Sequence, residues 1–234
     1  MEIGIKEQVR NWLLEEAEPS YQSFALSLLP NVDNVIGVRI PKLRKKAKQL
    51  LKQWEKKDII SYLYERGELY FEEVMIKGFV IGEIKVTTDE RICLIKQHIE
   101  RISNWSLCDS FCSSLKEAKK EKQIYWGLVQ EYIKKEKEYE RRFAIVMIVN
   151  YFVNPIDKKE IWDIFDKVKK EEYYVSMAVA WAISICYKHN KEQTIAYLKN
   201  NKLDNRTYQK VIQKIGELTR TTKEEKIMLR KLKD

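Results

Sequence analysis

Strongly apolar helical segments recur along the chain at an interval of about 35 residues. Four of them contain Glu73, Asp109, Arg142 and Ser176, so that successive positions lie 36, 33 and 34 residues apart. A more amphipathic segment separates each from the next, and only seven glycines and four prolines interrupt the 234 residues. Helix pairs repeated at this interval predict an α-solenoid, in which each pair buries its apolar face against its neighbours.

The period and the residue pattern favour one class of helical repeat. Tetratricopeptide repeats have about 34 residues, but this chain lacks their pattern of small residues and proline. We therefore predict an all-α fold, an α-solenoid of HEAT-like helical pairs, although its period is short for that class. Because no low-complexity linker divides the sequence, we expect residues 1–234 to form a single domain.

Caps and prolines predict where the helices begin. Pro19 and Pro41 suit a first helical position, and Asn154 followed by Pro155 suits a cap and a first residue. Thr88 is the predicted cap of the helix that follows it, and Asp204 has the same role near the C-terminus. The predicted helices are 3–17, 19–29, 41–57, 71–85, 89–101, 103–115, 121–133, 139–152, 156–169, 173–187, 192–199, 206–218 and 223–231.

Composition limits the partners and the chemistry. The chain has 44 Lys and Arg against 35 Asp and Glu, and a net charge of +9 permits an anionic partner without identifying one. Its four cysteines lie in or beside apolar runs, and it has only two histidines. We therefore expect reduced, packed thiols, with no zinc site and no His-based triad. The N-terminus lacks an apolar signal region and no apolar run could span a bilayer, so we expect a cytoplasmic protein.

One helix presents a carboxylate beside an indole. On a helix over residues 103–115, Trp105 and Asp109 lie one turn apart on the same side. Asp109 lies at the rim of an apolar stripe formed by Leu107, Cys108, Phe111, Cys112 and Leu115. It could be an exposed acid that pairs with Lys116, or a functional carboxylate beside an aromatic plane.

Three further residues lie in strongly apolar helices. Arg142 follows Arg141 at the start of a helix with almost no polar face, so its guanidinium must be paired or face a groove. It could form a core ion pair with Asp109 or bind a phosphate. Trp181 interrupts an otherwise aliphatic helix, where it could fill the core or provide a second aromatic wall.

The predicted helix 41–57 separates into an apolar face and a lysine face. Lys42, Lys45 and Lys52 lie on the polar face, which could simply be solvated or could follow a phosphate backbone. Two indoles, a carboxylate and basic side chains suit a cationic group attached to a polyanion. Alkylated purines in DNA fit this description, because alkylation at N3 or N7 makes the base cationic and a good leaving group.

These residues belong to motifs that resemble a known family. The motifs are GVRIPKLRKKAK (37–48), the W-x-x-x-D of Trp105 and Asp109, RRFAI (141–145) and AVAWAIS (178–184). Together and in this order they are similar to the bacterial DNA alkylation repair enzymes of the AlkD type, which are HEAT-like-repeat alkylpurine DNA glycosylases. The resemblance implies a C-shaped solenoid whose concave basic face holds duplex DNA.

The resemblance also implies an activity and a role for individual residues. It implies excision of cationic N3- and N7-alkylated purines without a metal or cofactor, with the modified base remaining stacked. Asp109 would be the catalytic carboxylate, Trp105 and Trp181 would contact the sugar of the lesion, and Arg142 would hold the DNA backbone. We expect a monomeric glycosylase acting on alkylated duplex DNA; the alternatives are a non-catalytic nucleic-acid-binding solenoid and a protein-interaction scaffold.

Overall fold

A computed structural model of the chain describes residues 4–29, 31–153, 158–168, 173–219 and 221–232. These residues are all-α, with fourteen α-helices and no strand among them, and none of these helices is long and apolar enough to cross a membrane. The α-helices are α1 (Ile5–Glu15), α2 (Pro19–Leu28), α3 (Ile40–Gln53), α4 (Lys56–Tyr64), α5 (Phe71–Glu83), α6 (Thr88–Ile99), α7 (Trp105–Ser114), α8 (Lys122–Tyr132), α9 (Glu138–Met147), α10 (Lys158–Phe165), α11 (Tyr173–His189), α12 (Lys191–Asn200), α13 (Asn205–Gly216) and α14 (Lys223–Arg230).

Most predicted helices are present, but several boundaries and one cap differ from the prediction. The predicted helix 41–57 ends at Gln53, and α4, which the sequence analysis missed, starts after only two extended residues, Trp54 and Glu55. The cap of α6 is Thr87 and not Thr88, because the Thr87 hydroxyl accepts from the backbone N–H of Glu90. The predicted start at Asn154 and Pro155 lies outside the described residues.

The helix predicted over 139–152 changes its hydrogen-bonding pattern near its end. It is α-helical from Glu138 to Met147 and π-helical over Ile148–Phe152. A single π-helical turn does not change the spacing of the apolar residues enough to be detected, so the sequence did not predict it. The Asp204 cap of α13 is confirmed, since its carboxylate accepts from the N–H groups of Arg206 and Thr207.

The chain divides into two compact units, residues 1–117 and residues 118–234. In the first unit α5 packs against α3 on one side and α7 on the other. In the second unit α11 packs in the same way between α9 and α13. Each unit therefore contains a row of three helices, every second one along the chain, in which the middle helix contacts the other two. The single domain over 1–234 stays a prediction.

Helix α5 is the core of the first unit, and its buried charges anchor the segments around it. Every residue from Phe71 to Ile81 is buried. The Glu72 carboxylate accepts from the backbone N–H groups of Ile36, Gly37 and Val38, and thereby fixes the segment before α3. Gly37 is needed there because its φ is +103° and a Cβ would lie 2.7 Å from Cβ of Gln22.

The other two buried charges on α5 are also satisfied. Glu73 forms a bidentate pair with Arg10 of α1, with an N–O distance of 2.8 Å. Lys77 donates to the backbone carbonyls of Tyr62 and Glu65 at the end of α4, and burial lowers its pKa to about 8. The charged residues of this otherwise apolar helix therefore hold α1 and α4 in place.

Hydrogen bonds connect residues that lie about one repeat apart. In the first unit, Ser114 Oγ donates to the Gly78 carbonyl, 36 residues earlier. In the second, the Glu138 carboxylate accepts from the backbone N–H of Tyr174, also 36 residues away, at 2.7 Å. Gly82 allows α5 and α7 to approach, since a Cβ there would lie 2.7 Å from the Ser114 carbonyl oxygen. The separations match the interval in the sequence.

Candidate active site

Helix α7 presents a narrow accessible face that contains both predicted residues. Asn104 caps the helix, and its Oδ1 accepts from the N–H of Leu107 at 3.0 Å. The predicted apolar stripe is buried, comprising Leu107, Cys108, Phe111, Cys112 and Leu115. Trp105, Asp109 and Ser113 are only partly buried and follow one another at intervals of one turn. The structure therefore places indole and carboxylate together on the open side of α7.

The Trp105 indole is held by the N-terminal helices. Its Nε1 donates to the backbone carbonyl of Leu28, the last residue of α2, at 3.1 Å. Leu28 and Phe24 expose 46% and 57% of their surface, which leaves apolar side chains open on the same helix. The hydrogen bond fixes one edge of the indole and leaves the ring partly accessible.

The interpretation of Asp109 as the partner of Lys116 is wrong. Helix α7 ends at Ser114, and Leu115 leaves the helical conformation with ψ of 52°. Lys116 therefore leaves the register of Asp109, and its ammonium lies 3.7 Å from the Glu83 carboxylate instead. Asp109 itself is half-buried.

Arg44 is a cation beside α7 that the sequence analysis did not single out. Its Nη2 donates to Ser113 Oγ at 2.9 Å, and its guanidinium lies 4.1 Å from the centre of the Phe79 ring. A signal was present in the sequence, because Arg44 directly follows the core residue Leu43 on α3 and thus lies near the apolar face. The guanidinium is thereby placed against the accessible side of α7.

The predicted lysine face of α3 is partly occupied by intramolecular ion pairs. Lys45 and Lys52 are exposed, as expected for contacts with a polyanion. Lys42 instead lies 2.8 Å from Glu16 and 3.3 Å from Glu18, and these hydrogen bonds raise its pKa. Lys45 and Lys52 are therefore available on the surface, and neither forms an ion pair within the part of the chain that the structure describes.

In the second unit, the two predicted arginines bind backbone carbonyls. Arg141 donates to the carbonyls of Lys135 and Glu136, the latter at 2.8 Å, and so organises the loop before α9. Arg142 is 6% exposed and donates through Nη1 to the Tyr174 carbonyl at the start of α11. The sequence analysis required the Arg142 guanidinium to be paired or to face a groove, and it is paired with this carbonyl.

Trp181 lies on the accessible side of α11. Its side chain is half-buried, whereas the residues on both sides of it in the chain are fully buried. Tyr173, Met177 and Ile185 are also partly or fully exposed and lie at the same helical spacing of four residues. The structure thus presents Trp181 within an accessible apolar stripe of the second unit.

Histidine and cysteine have mainly structural surroundings. His98 is 3% exposed and packs against Phe111, and burial lowers its pKa to about 3. Cys108, Cys112 and Cys186 are buried as predicted, but Cys93 is exposed on α6, contrary to the expectation of packed thiols. Among the described residues, no three His, Cys, Asp or Glu side chains form a group that could hold a metal ion.

Comparison with known protein families identifies a family that the chain matches. The family model described as DNA alkylation repair enzyme matches residues 9–215, which is most of the chain. The matched range includes Trp105, Asp109, Arg142 and Trp181. A search of curated proteins returned no match.

Proposed function

The chain belongs to the family of DNA alkylation repair enzymes, and we propose that its reaction is the excision of cationic N3- and N7-alkylated purines from duplex DNA. The family assignment indicates a role in DNA alkylation repair, with DNA as the partner. The observation that carries the proposal is the accessible pair of Trp105 and Asp109 on α7. This pair combines an aromatic surface for a sugar or a cation with a carboxylate for developing positive charge.

The proposed fold for this function is a HEAT-like α-solenoid of the AlkD type. Two observations support it. Alternate helices pack in series within each unit, and hydrogen bonds connect residues 34–36 positions apart, as in the link between Trp126 and Glu160. In a solenoid each repeat contacts its neighbours in this way.

The proposed reaction needs little acid catalysis. Alkylation gives the purine a positive charge, so the electron pair of the glycosidic bond leaves with the base, which becomes neutral. The sugar then acquires oxocarbenium character at C1′, which the Asp109 carboxylate stabilises. Water adds its oxygen to C1′, and its proton passes to Asp109. The products are a free alkylated base and an abasic site, and the reaction requires no metal or cofactor.

The remaining predicted residues have binding roles in the proposal. The resemblance implies sugar contacts for Trp105 and Trp181 and backbone contacts for Arg141 and Arg142. The Arg142 guanidinium, which is buried against the Tyr174 carbonyl, would have to move to make its contact. Lys45 and Lys52 add phosphate contacts along α3, supported by their exposure. Lys42 contributes less, because Glu16 and Glu18 already neutralise its charge. The protein acts as a monomer.

The direct test is release of base from methylated duplex DNA. We expect the protein to release free 7-methylguanine or 3-methyladenine and to leave alkali-labile abasic sites. Salt-dependent duplex binding without any base release would contradict the glycosylase and support a non-catalytic DNA-binding solenoid. Failure to bind duplex DNA at physiological salt would support a protein-interaction scaffold instead.

A further inference from the structure

A second candidate site lies in the first unit, at the opposite end of α7 from Ser113. It is a cavity of about 210 Å³, several times the roughly 30 Å³ that one water occupies in the liquid. Its polar lining comes from Arg101, Ser103 and Asn104, between the end of α6 and the start of α7, and from Asn34, whose Nδ2 donates to the Leu69 carbonyl. Leu69, Phe71 and Leu107 contribute apolar surface.

Asn104 supplies a buried hydrogen-bond donor without a partner. The side chain is 3% exposed, and its Oδ1 is occupied by the N–H of Leu107. A backbone N–H can donate only to the oxygen of the side-chain amide and not to its nitrogen. The bond from Leu107 therefore identifies which amide atom is Oδ1 and which is Nδ2. Nδ2 makes no hydrogen bond within the described residues. A buried donor of this kind needs an acceptor, and the cavity is where one can be supplied.

Two cationic side chains, Arg101 and Lys6, lie at the cavity. Arg101 lines the same cavity and donates through Nη2 to the Glu65 carbonyl at 2.9 Å, which leaves further N–H groups of its guanidinium for a ligand. The ammonium of Lys6 lies 3.6 Å from the position that a Cβ on Gly67 would take at the cavity wall. The N-terminus of α7, a helix of ten residues, adds a partial positive charge.

We propose that this cavity binds a phosphate group, with Asn104 Nδ2 and the Arg101 guanidinium as the donors. An anion with several acceptor oxygens satisfies the unpartnered amide, the guanidinium and the helix N-terminus together. The choice of phosphate among anions rests on the proposed function, since the protein then meets DNA. The phosphate can come from the backbone of the duplex or from a free phosphate monoester.

The test compares two asparagines that each cap the N-terminus of a helix, of which only Asn104 lines the cavity. Asn104→Asp keeps an oxygen that caps α7 but removes Nδ2 and places a negative charge in the cavity. Asn190→Asp is the matched control, because Asn190 caps α12 through the N–H of Gln193 and does not line this cavity. Each variant is compared with the wild type for affinity to an undamaged duplex, and circular dichroism checks that both are folded.

Inorganic phosphate is titrated in parallel, with the Asn104 side-chain amide of the wild type followed by NMR. We expect phosphate and duplex to shift this resonance, and Asn104→Asp to weaken duplex binding roughly 10-fold, with Asn190→Asp unchanged. A shift with phosphate but equal duplex affinity for both variants would assign the site to a free phosphate monoester. No shift with either probe, and equal affinities, would overturn the proposal.

This experiment is independent of the glycosylase reaction. It measures binding to undamaged DNA and to phosphate. Phosphate binding in the cavity can therefore be confirmed even if the protein releases no base. Conversely, base release with an unchanged Asn104 resonance would support the proposed function and refute the phosphate site.

Discussion

Arg44 of α3 donates a hydrogen bond to Ser113 Oγ of α7 at a distance of 2.9 Å. The bond joins the helix that carries the lysine face to the helix that carries Trp105 and Asp109. Because the guanidinium also lies 4.1 Å from the centre of the buried Phe79 ring, its position is fixed from two sides. Arg44 thus stabilises α7 and places a positive charge beside its accessible face.

Replacing Arg44 by methionine should therefore destabilise the protein. We expect a loss of about 1–2 kcal/mol in the free energy of unfolding, since a hydrogen bond to a charged group and a cation–π contact are both removed. Urea unfolding of Arg44→Met, Ser113→Ala and the double variant forms a double-mutant cycle. The cycle measures the coupling free energy between the Arg44 and Ser113 side chains. Lys45→Met is the control, because Lys45 is the exposed neighbour of Arg44 and should change stability by less than about 0.5 kcal/mol. Additive effects of the two changes would contradict a coupling between Arg44 and Ser113.

Lys45 and Lys52 should account for part of the salt dependence of duplex binding. Each phosphate contact that is lost reduces the slope of log K against log salt by about 0.9, so Lys45→Gln with Lys52→Gln should reduce it by nearly 2. Fluorescence anisotropy with an undamaged duplex at several salt concentrations measures the slope.

Lys42→Gln is the matched control for this measurement. Lys42 lies on the same helix but pairs with Glu16 and Glu18, so its removal should change the slope by much less than one phosphate contact. A slope change for Lys42→Gln as large as that for Lys45 would show that the ion pairs open when DNA binds, contrary to this expectation.

His98 should make the protein sensitive to mild acid. Burial, with the charges of Arg101 and Lys77, lowers its pKa from 6.5 to about 3 in the folded state. The unfolded chain therefore binds one more proton between these values, so stability is full above pH 6.5 and falls as the pH decreases towards 3. The slope is at most about 1.4 kcal/mol per pH unit.

Urea unfolding of His98→Gln at pH 7 and pH 4.5 tests this expectation. The variant should lose roughly 2–3 kcal/mol less than the wild type between the two pH values. His189→Asn is the control, since it removes the other histidine of the chain, which is exposed. Equal pH dependence for His98→Gln and the wild type would contradict the effect of burial.

Local periodicity was sufficient to predict much of the fold and part of the site. The stripe on α7 predicted which of its residues are buried and left Trp105 and Asp109 on the accessible side. The same reasoning required a partner for Arg142, and the Tyr174 carbonyl is one. These predictions succeeded because they depend on positions within one helix.

Relationships between distant segments could not be predicted in this way. The bond between Arg44 and Ser113 spans 69 residues, and the pairs that occupy Lys42 depend on how α3 packs against the segment before α2. Periodicity along one helix contains no information about such neighbours. The sequence also showed no break before α4, because two extended residues without glycine or proline are enough to separate it from α3.

We propose that the Asp109 carboxylate takes part in base release. The most direct measurement compares release of 7-methylguanine and 3-methyladenine from methylated duplex DNA by the wild type and Asp109→Asn, in single turnover. Asp163→Asn is the control, because Asp163 is an exposed carboxylate on α10. Binding to undamaged duplex is measured for all three proteins.

We expect Asp109→Asn to release base about 100-fold more slowly or worse, with duplex affinity nearly unchanged and Asp163→Asn equal to the wild type. The reason is that the amide cannot stabilise the oxocarbenium-like sugar or accept a proton from water. Equal release rates for Asp109→Asn and the wild type would contradict the account.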